Sequence, residues 1–347
     1  IENNTLAPAQ ERLICPWPRS ETPGYANGGN KFDPNKWDDQ YFSRLKDFVS
    51  EANKRDIIVE LTLFCPFYED SQWNLSPMNA SNHINGGGPD DRSHVYTMDR
   101  SNGLLTVQEN LVRKIVVELR EYPNLIYEIC NEPYFGGVTM EWQHHIASLI
   151  RDTEKDFEHK HLISQNIANG SQIIEDPHPS VSVFNFHYAY PPVAVSRNYH
   201  LNKVIGDNET GFDGNADSTY RREGWFFMIA GGGLFNNLDY SFTVQKPDGT
   251  DKQEAPGGGS VAFRKNLRVL KLFMENLDFI HMKPDTLIAA RSNQEKIYAL
   301  SRPGREYALY LENLQTNILN LQLPAGTYTL HWTDPESGIA EKPLKLT

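Results

Sequence analysis

Only three cysteines, Cys15, Cys65 and Cys130, occur in 347 residues, too few and too scattered for a disulfide framework or a zinc knuckle. Each is expected as a buried free thiol. No apolar run approaches the roughly 20 residues that a membrane helix requires, and the opening IENNTLAPAQ lacks the charged start and apolar core of a signal segment. No membrane partner is expected. Basic residues are outnumbered, 33 against 45 acidic, and the formal charge of -12 disfavours any surface that must track phosphates. A nucleic-acid partner is therefore not expected. No Gly-rich phosphate turn follows an apolar run, which weakens a dinucleotide-binding reading, and no cofactor is expected. A Gly-x-Ser-x-Gly nucleophile elbow is absent too, as is a strand bearing the His-x-His of metal-dependent barrels.

What is present is an alternation of amphipathic and continuously apolar segments. Tyr41, Leu45, Phe48, Val49 and Ala52 fall at helical spacing over 38–55, with Asp38 or Asp39 placed to cap the start. IIVELTLF (57–64) reads as a strand buried on both faces. A long loop rich in Pro, Gly and Asn (65–100) leads to a helix near 106–121 and the strand LIYEIC, 125–130. A helix at 139–157 follows, then the strands LISQ from 162, SVFNFH from 182 and KVIGD from 203. Residues 219–230 form an apolar helix ended by Gly231-Gly232-Gly233, LFNNLDYSF is the next strand, and 261–277 is a closing helix. Such alternation predicts a parallel sheet, closed into a (β/α)8 barrel in preference to an open doubly wound sheet.

After Pro284 short alternating runs appear, near 286–291, 296–301, 306–311, 318–323 and 327–333, separated by Pro-Gly and Asp-Pro turns. The expected organisation is thus a barrel domain over 1–283 and a small all-β sandwich over 284–347, packed on the barrel because a module of that size is marginal alone. Only six barrel strands can be counted, and the first 37 residues read as a long loop. The first two strand-helix units are accordingly expected upstream of Ile1.

Functional residues in a parallel barrel gather where strands end and loops begin. IYEICNEP delivers Asn131 and Glu132 to such an end, and Pro133, which has no N–H to donate, stops the strand. Three strands later VIGDNETGF delivers Glu209, with Asp207 and Asp213 as neighbours. Glycosidic cleavage needs one carboxylic acid to protonate the leaving oxygen and a second carboxyl as nucleophile or base. A loop Glu paired with Arg and a helix-capping acid are the alternatives for these two residues.

Asn131-Glu132-Pro133 after an apolar strand resembles the acid/base signature of clan A glycoside hydrolases. Together with NKFDPNKWD, PMNASNHINGG, DNETGF, AGGGLFNNLDYSF and LPAGTYTLHWTDPESG, it resembles a family-five-like, cellulase-like bacterial subgroup with a small C-terminal β-sandwich. The resemblance implies a retaining double displacement with Glu132 as acid/base and Glu209 as nucleophile, whose carboxyls would stand about 5–5.5 Å apart. It further implies that Asn131 bonds the sugar 2-hydroxyl and that His187 and Tyr190, in FNFHYAYPP, orient the nucleophile or line the sugar site. A secreted or periplasmic address also follows from the resemblance alone.

The loop bearing Trp73, Asn79, Asn82, His83 and Asn85 mixes amides with an aromatic, as neutral polyhydroxylated ligands require; a self-bonded Asn-rich turn would look the same. Trp17 and Asp239 are further candidates of that kind, whereas the adjacent His144 and His145 face different directions on a helix and hold no metal between them. The leading reading is a glycosidase that cleaves β-linked glycosides of plant or microbial polysaccharides. A catalytically inactive glycan-binding barrel and a metal-dependent barrel hydrolase are the alternatives.

Overall fold

The computed structural model describes residues 14–243, 245–252, 256–288, 296–312 and 318–347. Up to Ile167, and again over Asp176–Val183, these form one compact unit; Ala168–Glu175 and Phe184–Thr347 form a second.

In the first unit, β1 (Arg19–Pro23) and β2 (Asn30–Phe32) make an antiparallel hairpin where the sequence reads as loop. Helix α1 (Asp39–Asn53) begins as expected, with the Asp38 carboxylate accepting from the amides of Gln40 and Tyr41. Strand β3 (Val59–Phe64) pairs in parallel with β4 (Leu125–Cys130), which pairs in parallel with β5 (Leu162–Asn169). Every residue of β4 is buried, as its continuous apolar run requires. β3 departs from that reading: only Phe64 is fully buried, and Ile57 and Ile58 are exposed ahead of the strand.

The loop from 65 to 103, with the short α2 (Asp70–Leu75) inside it, is tied down by an aromatic core. Tyr96 lies 4.9 Å from Trp142 and 5.7 Å from Phe64, and Phe67 joins Tyr96 to Trp73. Trp142 of α4 (Met140–Thr153) donates to Gln108 of α3 (Leu104–Leu119), and Gln108 donates to the carbonyl of Val95. Each buried ring of this size contributes on the order of 1.5–3 kcal/mol. The Tyr96 hydroxyl donates to the Cys65 carbonyl at 2.8 Å, which fixes the chain where it leaves β3. No helix among the described residues is long and apolar enough to cross a membrane.

The second unit takes β6 (Val183–His187) from Phe184 onward, then α5 (Val193–Asn198), β7 (Val204–Glu209), α6 (Asp217–Ile229), β8 (Leu234–Phe235) and α7 (Val261–Glu275). β7 and β8 are parallel, with Gly206 opposite Leu234 and Asp207 opposite Phe235. The expected strand LFNNLDYSF shrinks to two residues. Beyond Phe235 the backbone amides of Asn236 and Leu238 still donate to the end of β7, at the carbonyls of Asp207 and Thr210, and the chain then turns away.

Strands β9 (Lys283–Pro284), β10 (Lys296–Arg302) and β11 (Glu306–Glu312) form an antiparallel sheet, and β12 (Tyr328–Leu330) pairs with β13 (Leu344–Leu346) in another. The alternation in β10 and β11 sorts their two faces. Leu300, Ala308, Tyr298 and Tyr310 meet Trp225, Ile229, Leu270 and Met274 of the helices; Ile297, Ala299, Leu309 and Leu311 meet Ile288 and Leu319–Leu323 on the other side. The segment 318–323 is not a strand, and β13 was not foreseen; of the expected run at 286–291, residues 286–288 form no strand and 289–291 lie outside the described residues.

Candidate active site

Glu132 stands just beyond β4. The Asn131 amide continues the ladder by donating to the Phe64 carbonyl at 2.9 Å, after which Glu132 turns into the left-handed region at φ 40°. For a residue with a Cβ this costs on the order of 1–2 kcal/mol. Pro133 follows, so the chain leaves the strand in a tight turn closed by the Phe135 amide on the Glu132 carbonyl. The turn is held by glycines. Gly136 (φ 70°) and Gly137 (φ 76°) lie so close to the loops beneath that a Cβ on Gly137 would sit 2.2 Å from the Ser93 carbonyl oxygen. We expect Gly137→Ala to cost more than about 1 kcal/mol in denaturant unfolding. An unchanged midpoint would show that the loop yields freely.

Two phenols reach the Glu132 carboxyl, neither anticipated from the sequence. Tyr68 donates to Oε2 at 2.5 Å and Tyr134 to Oε1 at 3.3 Å. The Tyr68 oxygen itself accepts from Asn131 Nδ2 at 3.2 Å and from Cys65 Sγ at 3.6 Å. Burial, reinforced by the bond to Glu132, pushes the Tyr68 phenol well above its ordinary range, so it serves as a donor and not as an anion. Cys65 is exposed, against the expectation of a buried thiol, while Cys15 and Cys130 are buried as expected. Tyr68, Tyr134 and Phe135 are all exposed and touch ring to ring, Tyr68–Phe135 at 5.9 Å and Tyr134–Phe135 at 4.9 Å.

Glu209 ends β7 in the second unit. Tyr188 donates its phenol to Glu209 Oε1 at 2.6 Å and its amide to the Glu209 carbonyl at 2.8 Å, and His187 Nδ1 stands 3.6 Å from the same Oε1. His187 is wholly buried. The phenol bonded to Glu209 is that of Tyr188 and not of Tyr190. Tyr188 also adopts a left-handed backbone, φ 53°, which carries the residue next to His187 over Glu209. Tyr190 is engaged elsewhere: Lys296 Nζ donates to its oxygen at 2.7 Å, and its ring packs 5.8 Å from Phe226. Two of the four left-handed residues other than glycine among those described thus stand at a candidate glutamate, Glu132 in the first unit and Tyr188 in the second. A cavity of about 430 Å³ is edged by Tyr188, Tyr190, Gly211, Phe212, Asp213 and Glu223.

The amide loop takes the self-bonded form. Asn82 is fully buried, its Oδ1 accepting from the Ala26 amide and its Nδ2 donating to the carbonyls of Asn74 and Ser76. Trp73 is 2% exposed against Phe67, and Trp17 is also buried. His83 is buried with its backbone bridged to Phe32, and burial pushes its imidazole down. Asn79 closes a turn on Ser81, and Asn85 pairs with Asn35. Asp239 is bonded to Arg264 at 2.7 Å and to Ser241. These residues, taken from the sequence as sugar contacts, hold loops in place. His145 of α4 pairs with Glu109 of α3 at 2.7 Å.

Comparison with known proteins places the chain in a family. The model of the cellulase family, glycosyl hydrolase family 5, matches residues 12–230. Among solved structures, a Bacteroides vulgatus protein described as a candidate glycoside hydrolase has a TM-score of 0.57 at 13% identity over 92% of this chain, which spans only 56% of that protein. A family 5 glycoside hydrolase from the same organism has a TM-score of 0.52 at 11% identity, covering 92% of this chain and 87% of its own. The endo-beta-1,4-mannanase of Thermotoga petrophila has a TM-score of 0.51 at 12% identity, covering 88% and 76%. At these identities the likeness is one of fold, and together with the family match it implies the eight-stranded α/β barrel. No curated protein matches the chain. On its match over 219 of 347 residues (12 to 230), the chain belongs to glycosyl hydrolase family 5, a family of glycosidases.

Proposed function

We propose that the chain hydrolyses β-linked glycosides of plant or microbial polysaccharides with retention, using Glu209 as nucleophile and Glu132 as acid/base. The observation that carries this is a shared arrangement: each glutamate stands at or just beyond the carboxyl end of a parallel strand, and each has a phenol bonded to its carboxyl, Tyr68 at 2.5 Å and Tyr188 at 2.6 Å.

In the first half-reaction the Glu209 carboxylate attacks the anomeric carbon. The bond to the leaving oxygen breaks, and Glu132 gives that oxygen its proton. Tyr188, donating to Oε1, holds the Glu209 carboxyl in place for that attack. In the second half, Glu132, now a carboxylate, takes a proton from water, which attacks the same carbon and frees Glu209. Tyr68 and Tyr134, donating to its two oxygens, hold the Glu132 carboxyl in place for both proton transfers. Asn131, fixed by Tyr68, is assigned to the sugar 2-hydroxyl. The exposed Tyr134 and Phe135 lie on the leaving-group side, where flat rings suit a sugar face. A secreted or periplasmic address belongs to the same proposal.

Proton NMR of the first-formed product from a β-linked oligosaccharide, chosen by screening a panel of plant-wall fragments, tests it. The β anomer is expected to appear first and then mutarotate. An initial α anomer would show a single displacement by water and overturn the nucleophile assignment.

A further inference from the structure

A buried acid on α6 has no part in the chemistry just described. Glu223 is 8% exposed, and its Oε2 lies 2.8 Å from the Thr210 hydroxyl oxygen. On the other side of that hydroxyl, at 3.0 Å, stands Asn237 Oδ1. Asn237 Nδ2 donates to the carbonyls of Leu238 at 2.5 Å and Gly257 at 3.0 Å. Turning this amide over would set its oxygen against two carbonyl oxygens, so Oδ1 faces Thr210 as an acceptor.

The Thr210 hydroxyl has one proton and two oxygen neighbours. Asn237 Oδ1 carries no proton, whereas a carboxyl can. Both contacts are hydrogen bonds only if Glu223 donates to Thr210 and Thr210 donates to Asn237. Burial, the largest influence on Glu223, pushes its carboxyl up, and Asp213 acts in the same direction; Arg222, which acts the other way, is paired with Glu312.

We infer that Glu223 is a neutral carboxylic acid and a positioning residue, which through the chain Glu223–Thr210–Asn237 fixes the backbone that immediately follows Glu209. Thr210 is the next residue after Glu209, and its carbonyl also accepts from the Leu238 amide at 3.0 Å. The chain therefore ties the end of β7 both to α6 and to the segment after β8. The effect on turnover rests on the proposed role of Glu209; the protonation does not.

Infrared difference spectra of resting wild type against Glu223→Gln, in D2O at neutral pH, read the proton directly. The C=O stretch of a protonated carboxylic acid is expected in wild type and is lost in the variant, which isolates Glu223 from Asp207. In kinetics, Glu223→Gln keeps a donor for Thr210 and should stay within about 3-fold of wild-type kcat, while Glu223→Leu and Thr210→Val should lose on the order of 10- to 100-fold with KM little changed, the scale of a small misplacement. Ionisation of Glu223 at alkaline pH should lower the wild-type rate but not that of Glu223→Gln. Absence of the carboxylic-acid band overturns the protonation. Equal damage from Gln and Leu, or none from either Leu or Val, overturns the positioning. Should Glu223→Leu fail to fold, the spectrum and the Gln variant still decide. A fully active Glu209→Gln would instead refute the nucleophile assignment and leave the band in place.

Discussion

Glu209→Gln is expected to abolish measurable turnover, and Glu132→Gln to lower kcat/KM by roughly 10²–10⁴ on natural glycosides, the usual contribution of a general acid. The two losses should differ in kind. A substrate whose leaving group is already a weak base, such as a nitrophenyl glycoside, needs little protonation. With it, Glu132→Gln should retain a rapid first step and accumulate glycosyl-enzyme, because the base for the second step is gone. Glu209→Gln should show neither step. Rapid-quench kinetics with intact-protein mass spectrometry checks both, since a covalent sugar is visible as added mass. Wild-type turnover in either variant would remove that residue from the mechanism.

The second large effect lies at the opposite ends of the strands. His161, just ahead of β5, and Glu154, which caps α4, have side chains each only 2% exposed and meet at 2.5 Å. His161 Nε2 stands 2.8 Å from the Tyr122 carbonyl, which can only accept, so that nitrogen carries a proton. Glu154 accepts from the His161 amide at 3.1 Å with its other oxygen, leaving the imidazole to donate to the carboxylate from Nδ1 as well. Burial alone would push the imidazole down; the Glu154 bond and the Tyr122 carbonyl together carry it above its ordinary value.

Because the folded-state pKa is raised, the stabilisation is complete below about pH 6.5, the unfolded value, and is lost as pH rises through the folded value. His161→Ala leaves Glu154 buried without its cation, and we expect a loss of about 3–5 kcal/mol at pH 6 by denaturant unfolding. A loss under about 1 kcal/mol would mean that water replaces the imidazole without strain. The position of the pair at the strand entrances fits a role in stability, since chemistry in this fold sits at the other ends.

Elements of the barrel were legible where one physical signal ruled. LIYEIC reads as a buried strand because nothing polar but Glu128 interrupts it, and β4 spans those residues without shift. Asp38 caps α1 as its position predicts. Signals failed where periodicity stops. After His187 the strand ends in a left-handed turn, so two tyrosines two residues apart cannot be told apart by alternation, and Tyr188 takes the place expected of Tyr190. Composition misled over Trp73 and Asn82, because amides and rings that would suit a sugar also suit a loop that must satisfy its own backbone. Tyr68 and Tyr134 were out of reach for another reason: their role depends on the Gly136-Gly137 approach, which no single-sequence pattern encodes.

The two-faced sheet of β10 and β11 has a practical result for anyone shortening the protein. Trp225 stacks 5.5 Å from Tyr310, and Ile229, Leu270 and Met274 are covered by the same sheet. A chain cut at residue 283 would bare a greasy strip along the very helices that brace the end of β7, and would be recovered from cells as inclusion bodies instead of as a minimal catalyst.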